Sequence, residues 1–285
     1  MTTISLATPG DEDRLRAFLR PHLDSSMFLL GNLASHGLGY GPHPHATRYA
    51  LLQRAGLIAG VLAATRGGYL MCQLPGDTPD HAGALIAALG RQPMAGINGK
   101  ADQVARVLAH LDLPADGWAL NRDEPLMRLP LNALADPGVA LVAPSGPHLP
   151  LLRDWFARNV VETGQCSPDR APGLAAELAE RAMTGHTRLM TDAAGQPVAM
   201  ATIGARAEGA VQVNGVFVPP AQRRQGHAGR ITAALLAAAR AEGAGLAILF
   251  AANDTARRVY LRLGFQDIGN YRLAMLRSPI TLAPS

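Results

Sequence analysis

The chain has 285 residues, 48% of them apolar and only 17% charged, which allows one large or two ordinary globular domains and argues against disorder. Aromatic residues are 5%, no apolar run is long enough to span a bilayer, and "MTTISLATPGDEDRL" lacks the basic start and apolar block of a secretion signal. The net charge of +4 is unevenly placed: residues 1–135 hold 11 Lys+Arg and 11 Asp+Glu, residues 136–285 hold 15 and 11, so the second half carries the whole excess. These features disfavour a nucleic-acid reader, a membrane protein and a secreted one. Two cysteines, Cys72 and Cys166, without metal-ligand spacing fit a reduced, cytoplasmic protein.

In the first half, a strand (4–7) precedes helices at 11–20 and 24–36. Strands follow at 48–54, 57–65 and 69–74, then a helix (79–90), a strand (94–98), a helix (101–111) and a last strand (125–131). In "GPHPHAT" (41–47), His43 and His45 have no third ligand, so no metal is assigned. "LNALADPG" (131–138) reads as a linker between domains 1–134 and 135–285.

The second half repeats this order more clearly. "GVALVAP" (138–144) is strand-like, and 147–160 and 171–183 read as helices. Three antiparallel strands cover 186–192, 196–207 and 209–218, with "DAAG" and "RAEG" as turns. A helix runs from about 226 to 241, with Ala228, Ile231, Leu235 and Ala238 on one apolar face. "GLAILFA" (245–251) has the wholly apolar character of a buried parallel strand. A helix at 253–264 follows, N-capped by Asn253 and stopped by Gly264, and 265–277 closes with two more strands. The expected class is therefore α/β: two domains, each a mixed, mostly antiparallel sheet flanked by helices.

The stretch "VFVPPAQRRQGHAGRI" (216–231) joins a strand to a helix through two prolines, two arginines and two glycines. A helix N-terminus offers unpaired N–H groups and the positive end of the helix dipole, and a glycine loop can aim more N–H groups at the same point. That suits a pyrophosphate. Pro219 and Pro220 end the strand, which leaves backbone groups of Val216, Phe217 and Val218 for an extended ligand with amides. Coenzyme A has both a pyrophosphate and amides.

Arg223-x-x-Gly226-x-Ala228, between "NGVFV" and an alanine-rich helix, resembles the cofactor motif of the GNAT acetyltransferases. "NDTARRVYLRLGF" (253–265) resembles that family's next motif, and the two stand in the expected order. The resemblance covers about 138–277; residues 1–131 match in element order alone, as a degenerate first copy. It implies acyl transfer from acetyl-coenzyme A to an amine in a ternary complex. Val216, Phe217 and Val218 would bind pantetheine. Arg223, Arg224, Gln225, Gly226, His227, Ala228 and Gly229 would bind the pyrophosphate. Asn253 would add a hydrogen bond to the pantetheine arm, and Tyr260 would protonate the departing thiolate. Tyr260 is also readable as core, since it lies on the apolar face of its helix.

The base is less defined. Many members have a carboxylate in the fourth strand, where this chain has Asn214. Glu162 in "VVETGQ" and His186 are candidates as base or amine-binding group, and each is also readable as a solvated residue. The first copy's loop, "LPGDTPDHAG" (74–83), has no arginine and two aspartates, which would repel a pyrophosphate. Its domain is expected to bind no coenzyme A and to wall the acceptor pocket or set the geometry of the second. Partners are expected to be a small-molecule or peptide amine, with no nucleic acid and no membrane. A non-catalytic acyl-coenzyme A sensor and an acyltransferase of a thiol- or amino-acid-conjugating pathway stay open.

Overall fold

A computed structural model describes residues 1–76, 81–113 and 116–282. The chain forms two compact units, Met1–Glu124 with Gly269–Ser285, and Pro125–Ile268. Among the described residues no helix is long and apolar enough to cross a membrane.

The first unit contains β1 (Thr2–Leu6), α1 (Glu12–Leu19), α2 (Leu23–His36), β2 (Thr47–Arg54), β3 (Leu57–Thr65), β4 (Tyr69–Gln73), α3 (Ala82–Leu89), β5 (Gln92–Lys100) and α4 (Ala101–Leu108). β6 (Trp118–Pro130) leads out of it. The second contains β7 (Leu141–Val142), α5 (Leu149–Glu162), α6 (Ala171–Thr184), β8 (Thr187–Thr191), β9 (Pro197–Ala207), β10 (Ala210–Phe217), α7 (His227–Ala241), β11 (Leu246–Phe250) and α8 (Asp254–Arg262). β12 (Gln266–Leu282) returns to the first.

The two units share one strand order. In the first, β1 to β4 pair antiparallel in succession, β4 pairs parallel with β5, and β5 pairs antiparallel with β12. In the second, β7 to β10 pair antiparallel, β10 pairs parallel with β11, and β11 pairs antiparallel with β6. Even the hairpins correspond. β2 and β3 are joined by Ala55-Gly56, β9 and β10 by Glu208-Gly209, and all four residues have positive φ, as a tight two-residue hairpin requires.

The last strand of each unit corrects the sequence reading. The strand expected at 125–131 in the first half pairs instead with β11, Leu126 opposite Phe250 and Pro130 opposite Leu246. The two strands expected at 265–277 are one strand, β12, whose residues from Tyr271 onward pair with β5. An alternating strand has the same pattern whichever sheet edge it completes, so periodicity carries no information about its partner. The segment read as a linker is also packed. Leu131 and Leu134 are buried, and Arg240 of α7 donates to both of their carbonyls, at 3.2 and 2.6 Å.

In the second unit the sheet is covered on both faces. Ile231, Leu235 and Leu236 of α7 pack with Ala199, Ile203, Val211 and Leu249. Leu152, Trp155 and Phe156 of α5 and Ala175 and Ala179 of α6 pack with Leu189, Met200 and Phe217. The α7 face is broader than expected: Ile231 to Ala237 are all buried, whereas Ala238 is exposed. A helix this enclosed draws its stability from packing, and Leu236→Ala should cost about 2–5 kcal/mol.

Candidate active site

β10 and β11 are hydrogen-bonded only as far as Gln212 and Ile248, yet β10 runs on to Phe217. The strands therefore part after Gln212. On its other side β10 pairs with β9 through Asn214, is interrupted, and resumes at Phe217 opposite Met200. Gly215 at φ +57 supplies the left-handed residue this bulge needs. Proline cannot donate a hydrogen bond, so Pro219 and Pro220 end the strand, and a single tight turn over Pro220–Gln222 leads to Arg223.

Next comes the entry to α7. Arg224 has φ +64 and Gly226 φ +78, so the loop turns through two left-handed residues before the helix starts. No side chain caps Gly226. The first backbone N–H of this region to find a carbonyl is that of Arg230, on Gly226 O at 3.1 Å. Among the described residues, the N–H groups of 224–229 donate to no protein acceptor. A Cβ on Gly226 would meet nothing within 4 Å, so its surroundings are open. The Nδ1 of His227 is buried without a partner. Unpaired donors at the positive end of a 15-residue helix suit an anion.

Arg223 has protein partners of its own. Its Nε donates to Val218 O at 2.9 Å, its guanidinium lies 5.8 Å from the Phe217 ring centre, and one nitrogen donates to both oxygens of Glu162, at 2.9 and 2.7 Å. The phosphate-loop arginine and the candidate base are thus each other's partner. Arg224 is exposed, Gln225 reaches only Gln222, at 3.3 Å, and Ala228 and Gly229 are half-buried in the first turn. Phe217 is core, its ring 5.8 Å from that of Trp155. Glu162 ends α5 beside a shallow groove of about 400 Å³ lined by Ala157, Val161, Pro168, Ala171 and Pro172. His186 and Asn214 are exposed.

Asn253 caps α8, its Oδ1 accepting from Ala256 N at 2.9 Å. Its amide NH₂ has no partner among the described residues. Tyr260 is 8% exposed, sits in the core cluster under α7, and meets Phe265 at a tilted 5.7 Å. Val216 and Val218 pack against the same cluster.

One contributor was not singled out from the sequence. Asn159 of α5 is 8% exposed and its Nδ2 donates to Val216 O at 3.3 Å. With Val218 O held by Arg223, the Val216 and Val218 carbonyls beside the loop each accept a hydrogen bond, while the Val218 N–H has no acceptor among the described residues. The available signal was a polar residue in line with Leu152, Trp155 and Phe156.

The corresponding place in the first unit is filled. Leu74 N–H donates to Gln103 Oε1 at 2.7 Å, and Arg106 donates to Leu74 O at 2.7 Å and Gly76 O at 3.1 Å. Of the expected loop 74–83, residues 77–80, both aspartates included, lie outside the described residues. No group of three or more His, Cys, Asp or Glu among the described residues can hold a metal ion.

A family model described as an acetyltransferase (GNAT) domain matches residues 171–274. The match runs from the start of α6 into β12. A GCN5-related N-acetyltransferase from Sphaerobacter thermophilus matches with a TM-score of 0.56 and 15% identity, over 100% of this chain and 96% of that one. One from Kribbella flavida matches at 0.53 and 20%, over 89% and 94%. A GNAT-family acetyltransferase from Colwellia psychrerythraea matches at 0.51 and 14%, over 96% and 99%. At these identities the likeness is one of fold. No curated protein matches the chain by sequence. GNAT enzymes generally use acetyl-coenzyme A. The uncapped α7, the open space at Gly226, the orphaned His227 Nδ1 and the parted strands are features that such a ligand fits.

Proposed function

We propose that the protein is an acyl-coenzyme A-dependent N-acyltransferase, most simply transferring acetyl to an amine, with its site in the second unit. The observation that carries this reading is the uncapped α7 N-terminus, with Gly226 at φ +78, beside a strand that has left its neighbour. The N–H groups of 224–229 would hold the pyrophosphate, with Arg224 adding charge. Val218 N–H and the free amide of Asn253 would hold pantetheine amides. Acyl-coenzyme A, when bound, supplies the thioester, and its coenzyme A part is the leaving group.

Direct attack needs no covalent enzyme intermediate. The amine nitrogen attacks the thioester carbon, the C–S bond breaks, the sulfur keeps the electron pair, and Tyr260 gives it a proton. A phenol near pKa ~10 and a thiol near ~8.5 can share a proton in the transition state, which is worth roughly 10²–10⁴-fold. Glu162 is proposed to hold the incoming amine. Each of its oxygens accepts one bond from Arg223 and keeps a second lone pair, so it can accept an N–H without giving up the pair. In that arrangement the ammonium proton leaves to Glu162 or to water before attack, the nitrogen sheds a second proton to solvent after it, and solvent returns one to Tyr260. The first unit is proposed not to bind coenzyme A, because Gln103 and Arg106 take the equivalent backbone groups. Two free thiols accord with a cytoplasmic location.

Calorimetric titration of acetyl-coenzyme A into wild type, Gly226→Asp and Gly226→Asn tests the site. Asparagine tolerates the left-handed conformation, so that variant keeps the fold. Micromolar binding to wild type, lost with Asp and weakened at least tenfold with Asn, is expected. No binding to a folded wild type sinks the reading. A second reading, a non-catalytic acyl-coenzyme A sensor, is favoured by Asn214 standing where a strand carboxylate would serve as base. Thioester consumption with amines, amino acids, polyamines, aminoglycosides, peptides or thiols as acceptors separates the two, and names the acceptor class.

A further inference from the structure

Glu162 belongs to two surroundings at once. It accepts from Arg223, whose Nε donates to Val218 O, so the carboxylate stands one guanidinium away from the end of β10. It also borders the groove of about 400 Å³ where α5 ends and α6 begins. The groove is thereby continuous with the place proposed for acyl transfer, and its lining bears on what the amine carries.

Ala157 and Val161 of α5 line it, with Pro168 of the connecting loop and Ala171 and Pro172 of α6. None of these side chains carries a polar atom. Val161 is a large apolar residue left 37% exposed. At 100° per residue it lies about 120–180° round the helix from Leu152, Trp155 and Phe156, which pack against the sheet. Val161 therefore belongs to a face of α5 that the core does not use.

Two charged residues complete the lining, Arg158 and Glu162. One turn apart on a helix, such a pair ordinarily meets. Here each is engaged elsewhere: Arg158 Nε donates to Asp154 Oδ1 at 2.9 Å, and Glu162 accepts from Arg223. The four charges cancel, which leaves an apolar groove with one carboxylate that keeps spare lone pairs. A single ammonium on a hydrocarbon body matches both features. A second ammonium would find no second carboxylate among the described lining residues, and a carboxylate would compete with Asp154 for Arg158 and stand beside Glu162. We propose that the acceptor is a hydrophobic monoamine, its nitrogen at Glu162 and its hydrocarbon part in the groove along Val161. This rests on the N-acyltransferase reading and adds to it the class of substrate.

The test is steady-state acetylation of n-alkylamines from methylamine to hexylamine, which differ in length and hardly in basicity, with spermidine and free leucine alongside. Each buried methylene is worth up to about fourfold. In wild type, kcat/KM should rise at least about tenfold from methylamine to butylamine and level off once the groove is full. Val161→Asp puts a charge in the apolar wall and should flatten that rise to less than about threefold. Val161→Thr keeps the shape and should flatten it partly. Calorimetric titration with acetyl-coenzyme A, at the affinity of wild type, shows that each variant is folded. Turnover that ignores chain length, or is best with spermidine or leucine, overturns the hydrophobic acceptor and leaves the N-acyltransferase reading standing. A rise that both folded variants preserve overturns the groove. If acetyl-coenzyme A binds and none of these amines is acetylated, the proposal falls and the sensor reading gains; if acetyl-coenzyme A does not bind a folded wild type, both readings fall.

Discussion

Arg223 and Glu162 face each other across the mouth of the candidate site, one guanidinium nitrogen on both carboxylate oxygens at 2.9 and 2.7 Å. The motif reading had one binding phosphate and the other taking a proton. Joined, they tie the loop before α7 to the end of α5, with Val218 O as a second anchor. Both side chains are a little over 40% exposed, 42% and 44%, so the pair contributes at most about 1 kcal/mol. A double-mutant cycle in denaturant should give a coupling below about 1 kcal/mol. Arg223→Ala should weaken acetyl-coenzyme A binding about tenfold, and Arg223→Lys nearly as much, because lysine cannot reproduce the fork. Full rescue by lysine would mean that Arg223 acts as a charge on the phosphates. Glu162→Gln should raise the KM for the amine and leave donor affinity nearly unchanged.

Tyr260 is at once core and the proposed acid. Tyr260→Phe keeps the ring, so stability should change by less than about 1.5 kcal/mol. Donor affinity should hold while kcat falls by roughly 10²–10⁴-fold. Unaltered kcat in the folded variant would leave Tyr260 as packing alone.

The exchanged strands predict how the chain tolerates cutting. Residues 269–285 bury Tyr271, Ala274, Leu276 and Leu282 in the first unit, and Tyr271 donates to Asn98 Oδ1 at 2.8 Å. Each large apolar side chain is worth about 1.5–3 kcal/mol. Deletion of 269–285 should raise hydrogen exchange in β5 by orders of magnitude while α7 and β11 stay protected. A fragment 135–285, which lacks the β6 segment beside β11, should be insoluble. A soluble fragment with a cooperative unfolding transition would contradict the exchange.

The two free thiols should differ. Cys72 is 1% exposed, and burial pushes its thiol from 9.0 up to about 12, whereas Cys166 is half-buried. A thiol-specific reagent at pH 8 should titrate one thiol in the native protein and two after denaturation. The sign of the pH effect follows. The unfolded thiol ionises near 9 and the folded one near 12, so the unfolded state binds fewer protons in that window. Stability from this group is intact below about pH 9 and falls as pH rises toward 12. Two fast-reacting native thiols would show that the first unit opens locally around Cys72.

Much of the architecture was written in local pattern. The hairpin at Glu208-Gly209, the buried strand at Leu246–Phe250, the Asn253 cap and the loop-to-helix step at Gly226 each depend on a few neighbouring residues, and periodicity and turn chemistry reveal such features. The positions of Gly226 and Asn253 in the candidate site were legible for that reason. Tertiary structure decided which sheet receives 126–130 and 271–282, because a strand pattern is silent about its partner. It paired Arg223 with Glu162, 61 positions apart, and set Asn159 against Val216 O, 57 apart. It also neutralised Arg257 while leaving Arg258 and Arg262 bare, since helical phase and the position of Asp267 govern which arginine finds a carboxylate. Charge and side-chain type are properties of sequence; whether a charge is free for a ligand is settled by what the fold brings within 3 Å of it.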